Sequence, residues 1–145
     1  GAAGQVQAGF IVLKGQSPAS GSAAALQANG NNIALANTSG GYLEGFYELS
    51  FVARTNNSAS TNYWAGVRRF VWVPGASGSV TLQNPASNDV SSNAGSAPAP
   101  ASSTAWAITA SVSGATLTFS ITGSDSAGTL AVNWAGRLNF VQCGI

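Results

Sequence analysis

Few side chains in this chain could carry chemistry. It has no histidine, one cysteine and four carboxylates, Glu44, Glu48, Asp89 and Asp125. Without an imidazole there is no ordinary Ser–His or Cys–His nucleophile pair, and one thiol among scattered carboxylates makes no zinc site. Glu44 and Glu48 stand four residues apart, so on a strand they share a face about 13 Å apart by strand rise. Inverting glycosidases hold their two carboxyl groups about 6.5–9.5 Å apart, so this pair is too wide. The turn "GSDSAG" around Asp125 lacks the alternating oxygen ligands and closing Glu of a calcium loop. Asn37 in "NTS" and Asn56 in "NNS" match glycosylation acceptors, which matter only in a eukaryotic secretory setting. The expectation is a protein that is not an enzyme and uses no metal or cofactor.

Composition narrows the partners. The 145 residues are read as one domain, 1–145, with enough apolar content (45%) for a single core. Net charge is +1, and four of the five cations lie in strand-like stretches rather than in a cluster, which is a poor footprint for nucleic acid. No apolar run reaches the roughly 18 residues of a membrane span, and with no basic region followed by an apolar stretch at the N-terminus a signal peptide is not expected there. The lone Cys143 excludes an intramolecular disulfide. A chain without Met that begins "GAAGQVQAG" reads as a processed product or an excised piece of a longer protein. Abundant Ser, Thr and Asn with little Lys or Glu fits an extracellular or virion surface.

Period-two alternation dominates, and it predicts strands at Gln5–Leu13, Ala23–Ala28, Asn32–Ala36, Tyr42–Arg54, Asn62–Val73, Ser79–Leu82, Ala105–Val112, Thr116–Thr122 and Thr129–Val141. No window shows capped helical spacing. The expected fold is all-β, an antiparallel β-sandwich or jelly-roll-like structure of about eight or nine strands with minimal helix. Inward faces are Trp106, Ile108, Ala110 and Val112; Leu117, Phe119 and Ile121; and Leu130, Val132, Trp134, Leu138 and Phe140, with Gly136 marking a gap or bulge. Ser113-Gly114 reads as a tight hairpin. Residues 84–104, Pro/Ala/Ser-rich, read as a long loop running over the surface or toward a neighbouring subunit, with plain disorder as the alternative.

Two strands stand apart. Residues 42–54 and 62–73 flank the polar "TNNSASTN", and a turn centred on Ser58 would place Glu48 opposite Arg68 and Phe46 opposite Phe70. One face then carries Leu43, Tyr47, Leu49, Phe51, Ala53, Tyr63, Ala65, Val67, Val71 and Val73 as core. The other carries Phe46, Val52, Trp64, Phe70 and Trp72 around the Glu48–Arg68 pair. Arg69 falls on the core face, where it would escape at the sheet end or stack on Tyr47. Phe46, Glu48, Trp64, Arg68, Phe70 and Trp72 are the candidate interface or glycan-contact residues, with Tyr63 as a second ligand candidate. Such a face needs cover: from the chain itself, from an identical neighbour, or from a bound glycan.

The run "FYELSFVARTNNSASTNYWAGVRRF" and the later "AWAITASVSGATLTFSITGSDSAGTLAVNWAGRLNFV" resemble the β-sandwich domain near the C-termini of tail fibre, tailspike and related proteins of tailed bacteriophages and prophages. The likeness spans residues 42–142. It rests on Val52-Ala53-Arg54, Trp106-Ala107-Ile108, Leu117 with Ile121-Thr122-Gly123, and Trp134-Ala135, which are core and turn positions. It departs at the "Ala-Pro-Ala-Pro" insert of 97–100 and at Gly136. The resemblance implies a virion protein that forms a homotrimer, contacts other virion proteins and either attaches to a host surface polysaccharide or other receptor or caps a fibre. It brings no catalytic residues. The alternatives are a capsid decoration or head-fibre protein, and a carbohydrate-binding module of a secreted enzyme with Trp64, Trp72 and Tyr63 as its stacking platform.

Overall fold

The computed structural model describes residues 6–34, 43–55, 63–74, 80–91, 106–113, 116–124 and 130–144. Nine strands occupy them: β1 (Val6–Ser17), β2 (Ala24–Leu26), β3 (Ile33–Ala34), β4 (Leu43–Thr55), β5 (Tyr63–Pro74), β6 (Val80–Ser91), β7 (Ala107–Ser113), β8 (Thr116–Thr122) and β9 (Val132–Gly144). No helix occurs among the described residues. The five-stranded sheet runs β1-β9-β4-β5-β6; β2, β8 and β3 make the other, with β7 also paired to β8. Every pairing is antiparallel. The fold is an all-β sandwich.

Alternation explains the walls. In β8, Leu117, Phe119 and Ile121 are buried while the Thr and Ser residues between them are partly exposed; in β9 the same holds for Val132, Trp134 and Leu138 against Asn133, Ala135 and Arg137. These side chains meet Leu13, Leu49 and Phe51 from the large sheet and Leu26, Ile33 and Ile108 from the small one in one core. The chain passes between sheets at β1 and β2, where Lys14 and Gln27 exchange backbone hydrogen bonds of 2.9 and 3.0 Å. A tight turn follows at Asn29-Gly30, with φ of 50° and 80°, the left-handed pair that Asn-Gly adopts readily.

Several expectations change. β1 continues past Leu13 through Gly15 to Ser17. Residues 84–91, expected as loop, are strand, and the remainder of the 84–104 stretch lies outside the described residues. β6 is an edge strand, and its pairing with β5 shifts between Arg69↔Ala86 and Val71↔Gln83, so Asn84 and Pro85 together oppose Phe70. A proline is tolerated there because an edge bulge needs no ladder donor from it. Gly136 marks neither gap nor bulge, since β9 keeps unbroken register with both neighbours. A Cβ at Gly136 would lie 3.0 Å from Leu49 Cδ1 and 3.3 Å from Leu26 Cδ2, so the position is small because Leu49 of the neighbouring strand and Leu26 of the opposite sheet both press close. The Ser113-Gly114 turn is only half described: Ser113 pairs with Thr116, and residues 114–115 lie outside the described set.

Tyr47 gives the core a pH limit. Its ring stacks between Phe70 and Phe140, and its hydroxyl accepts a hydrogen bond from the Gln142 amide. Desolvation pushes the phenol up from 10.0 to about 12, against the smaller opposing effect of Gln142. Above pH 10 the unfolded chain sheds this proton while the folded chain keeps it. Stability is therefore intact below pH 10 and falls by about 2–3 kcal/mol as pH rises through 12. Urea titrations between pH 9 and 12.5 should show this fall, flattened in Tyr47→Phe.

Candidate interaction surface

Register decides which residues of β4 and β5 meet. Glu48 pairs with Arg69, Leu49 with Arg68, Tyr47 with Phe70 and Ala53 with Trp64. That is one residue away from the pairing expected for a turn centred on Ser58, and a one-residue slip sends every side chain of a strand to the opposite face. The connecting residues 56–62 lie outside the described set.

The slip divides the expected face. Phe46, Glu48 and Val52 keep their outward positions and gain Tyr63 and Arg69 beside them. Trp64 and Phe70 turn inward and are buried, Trp64 edge-on to Phe51 and Trp134, Phe70 stacked on Tyr47. Trp64 is thereby removed from any sugar-stacking platform. Arg68 also turns inward, so the expected Glu48–Arg68 pair does not form. Its guanidinium lies 5.1 Å from the Phe51 ring centre and 5.3 Å from that of Trp64. Arg69, expected on the core face, is outward and donates to Glu48 at 2.7 Å. Trp72 is described only through its backbone, paired with Gly45 and Leu82.

The physical reason is volume. The rejected register would bury Tyr63, Val67 and Val71; the adopted one buries Trp64 and Phe70. Each of these two rings can remove about 150–250 Å² from water, at about 25 cal/mol per Å². That gain exceeds the cost of an inward Arg68, which keeps partial exposure and aromatic faces to rest on. It also exceeds the about 1–3 kcal/mol cost of the Trp64 indole N–H, which finds no acceptor among the described residues. A double-mutant cycle tests the register. Glu48 and Arg69 should couple by roughly 0.2–1 kcal/mol, as exposed pairs do, while Glu48 and Arg68 show none.

The outer face of the five-stranded sheet can be laid out line by line from the pairings. Ala8, Val141, Phe46 and Val71 form one line across the strands, and Phe10, Asn139, Glu48 and Arg69 the second. Val12, Arg137, Ser50 and Val67 form the third; Lys14, Ala135, Val52 and Ala65 the fourth; Gln16, Asn133, Arg54 and Tyr63 the fifth. The large hydrophobic side chains that stand exposed among the described residues are Phe10, Val12, Phe46, Val52, Tyr63 and Val141, with 45–67% of their surface in water. All six lie on this face. The Arg137 guanidinium sits 4.2 Å over the Phe10 ring. By contrast, β7 presents Thr109, Ser111 and Ser113 to solvent on the other sheet, as an ordinary wetted wall does.

Phe10, Val12, Arg137 and Val141 were absent from the sequence-derived set. For the apolar three the signal was present: "FIVL" and the closing "FV" of "LNFV" are apolar at consecutive positions, hence on both faces of a strand. What was missing was the knowledge that β1 and β9 lie beside β4. Among the described residues, no three metal-ligating side chains come together.

No protein-family model matches the chain, and no curated protein matches it. Among solved structures, a search finds similarity to the tailspike protein of Acinetobacter baumannii phage AM24. The alignment has 8% identity and a TM-score of 0.40, and covers 93% of this chain and 26% of that one. This chain thus spans about a quarter of that protein's length. A superposition at that score and identity does not establish a shared fold, and the tailspike description belongs to that protein.

Proposed function

We propose that this chain is a non-enzymatic attachment module of a bacteriophage virion, a domain of a tail fibre or related receptor-binding protein, which contacts its partner through the outer face of the five-stranded sheet and assembles as a homotrimer. One observation carries the interaction reading: all six exposed large hydrophobics of the described residues share that face. Aromatic and aliphatic groups gathered on one side of a sandwich, opposite a Ser/Thr-covered side, are the composition of a contact surface. The virion setting rests on the resemblance across residues 42–142.

The test is to label the purified domain and apply it to candidate host bacteria. Staining that surface polysaccharide competes away supports attachment. Binding to expanded capsids without cell staining would replace this reading with capsid decoration. Light scattering tests assembly separately: a mass three times that of the chain supports the trimer, and a strict monomer removes it.

A further inference from the structure

The outer face has a charge pattern that identifies the occupant it fits. Four of the chain's five cations, Lys14, Arg54, Arg69 and Arg137, lie on it; the fifth, Arg68, is turned inward. Glu48 neutralises Arg69. No described carboxylate pairs with Lys14, Arg54 or Arg137, which occupy the third to fifth lines. By strand spacing and rise these three stand roughly 8–15 Å apart. Glu44 takes its place near the far end of β4, opposite Cys143, roughly 20 Å or more from them by the same geometry. The face therefore carries its described acid, Glu48, in the second line and three cations in the third to fifth.

We propose that this cationic end binds an acidic polysaccharide, a chain of carboxylate-bearing sugars; the proposal rests on the attachment reading and names its ligand class. Carboxylates would meet the exposed Arg137 guanidinium, whose carbon lies 4.2 Å over the Phe10 ring. Tyr63 offers a half-exposed ring, and Gln16 and Asn133, hydrogen-bonded to each other at 2.7 Å, offer amides for sugar hydroxyls. A second copy is the weaker occupant: Glu48 is already held by Arg69, which leaves Glu44, Asp89 and Asp125 as the acids another copy could bring, whereas a chain of carboxylate-bearing sugars repeats its charge along its length. Nucleic acid, with a charge at every phosphate, would call for a denser cation array.

The experiment measures calorimetric binding of the full chain to polygalacturonate, neutral dextran and poly-glutamate. The expected result is binding to polygalacturonate, at least tenfold weaker binding to dextran and to poly-glutamate, and about tenfold loss in Arg137→Gln, as a lost charge-assisted hydrogen bond costs. Lys14→Gln with Arg54→Gln should lower affinity further and reduce its salt dependence. All three side chains are exposed, so melting temperatures should stay unchanged and separate binding from folding. No binding to polygalacturonate overturns the proposal. Poly-glutamate binding as tightly overturns it in favour of an acidic protein partner. Self-association that Arg137→Gln abolishes, without polysaccharide binding, overturns it in favour of a second copy. Host-cell staining undiminished by Arg137→Gln and by added polygalacturonate overturns the ligand class while leaving attachment standing. Polygalacturonate binding that Arg137→Gln weakens, with no host stained, supports the ligand class and removes attachment.

Discussion

Trp134→Ala is expected to lower stability by about 3–5 kcal/mol, the range for deleting a large buried aromatic side chain. The Trp134 ring lies 6.1 Å from Phe51, 5.9 Å from Trp64 and 6.2 Å from Trp106 between ring centres, and it is 2% exposed. Its indole N–H donates to Ser17 Oγ at 3.0 Å, and that hydroxyl donates on to the Gly123 carbonyl at 2.9 Å. Truncation therefore opens a cavity between the sheets and strips the buried Ser17 of its donor. Against the usual total of about 5–15 kcal/mol, such a loss takes much of the stability. Thermal denaturation should fall by roughly 10–20 °C for a domain of this size. Trp134→Phe, which keeps a ring but loses the N–H, should fall between. A change of only a degree or two for the alanine variant would contradict the packing described.

Gly15→Ala should be nearly as damaging, although it adds only a methyl group. A Cβ there would lie 2.6 Å from the Ala25 carbonyl oxygen, 2.9 Å from Ile121 Cδ1 and 3.3 Å from Leu26 Cα. Two of these atoms are backbone, so no rotamer change relieves the overlap; β1 and β2 must separate. Overpacking typically costs about 1–3 kcal/mol and occasionally more, and the rigid neighbours here place this variant at the upper end. Gly9 is the control. Its Cβ would meet only the Phe140 ring, at 3.0 Å from Cζ, and a ring can tilt. Replacing a strand glycine also recovers roughly 0.5–1 kcal/mol of chain entropy, so Gly9→Ala should be close to neutral. Chemical denaturation of the two variants side by side checks the ordering; equal losses would mean the β1–β2 crossing is not as close as described.

Gly15 also shows where local reading stops. In "LKGQS" it looks like the end of a strand, because nothing nearby demands a residue without a side chain. The demand comes from Ala25 and Leu26 on the other sheet. Gly136 was misjudged for the same reason: a missing side chain reads as a gap until Leu26 is found pressing on it. In "NYWAGVRRFVWV" both faces carry apolar residues, and a turn centred on Ser58 put the wrong one inward. Weighing side chains by volume would have favoured Trp64 and Phe70 as core.

What the amino-acid sequence determined by itself was everything governed by alternation within one segment: nine strands, the absence of helical periodicity, and the inward residues of β4, β7, β8 and β9. Those patterns are local, since a strand exposes successive side chains on opposite sides whatever its neighbour is. Only the tertiary structure decided the β4–β5 register, the placement of β1 and β9 beside β4, and so the surface on which Phe10, Phe46, Tyr63 and Arg137 come together. Pairing joins residues far apart in the chain, and its choice depends on the total volume buried between two sheets, which no single segment contains.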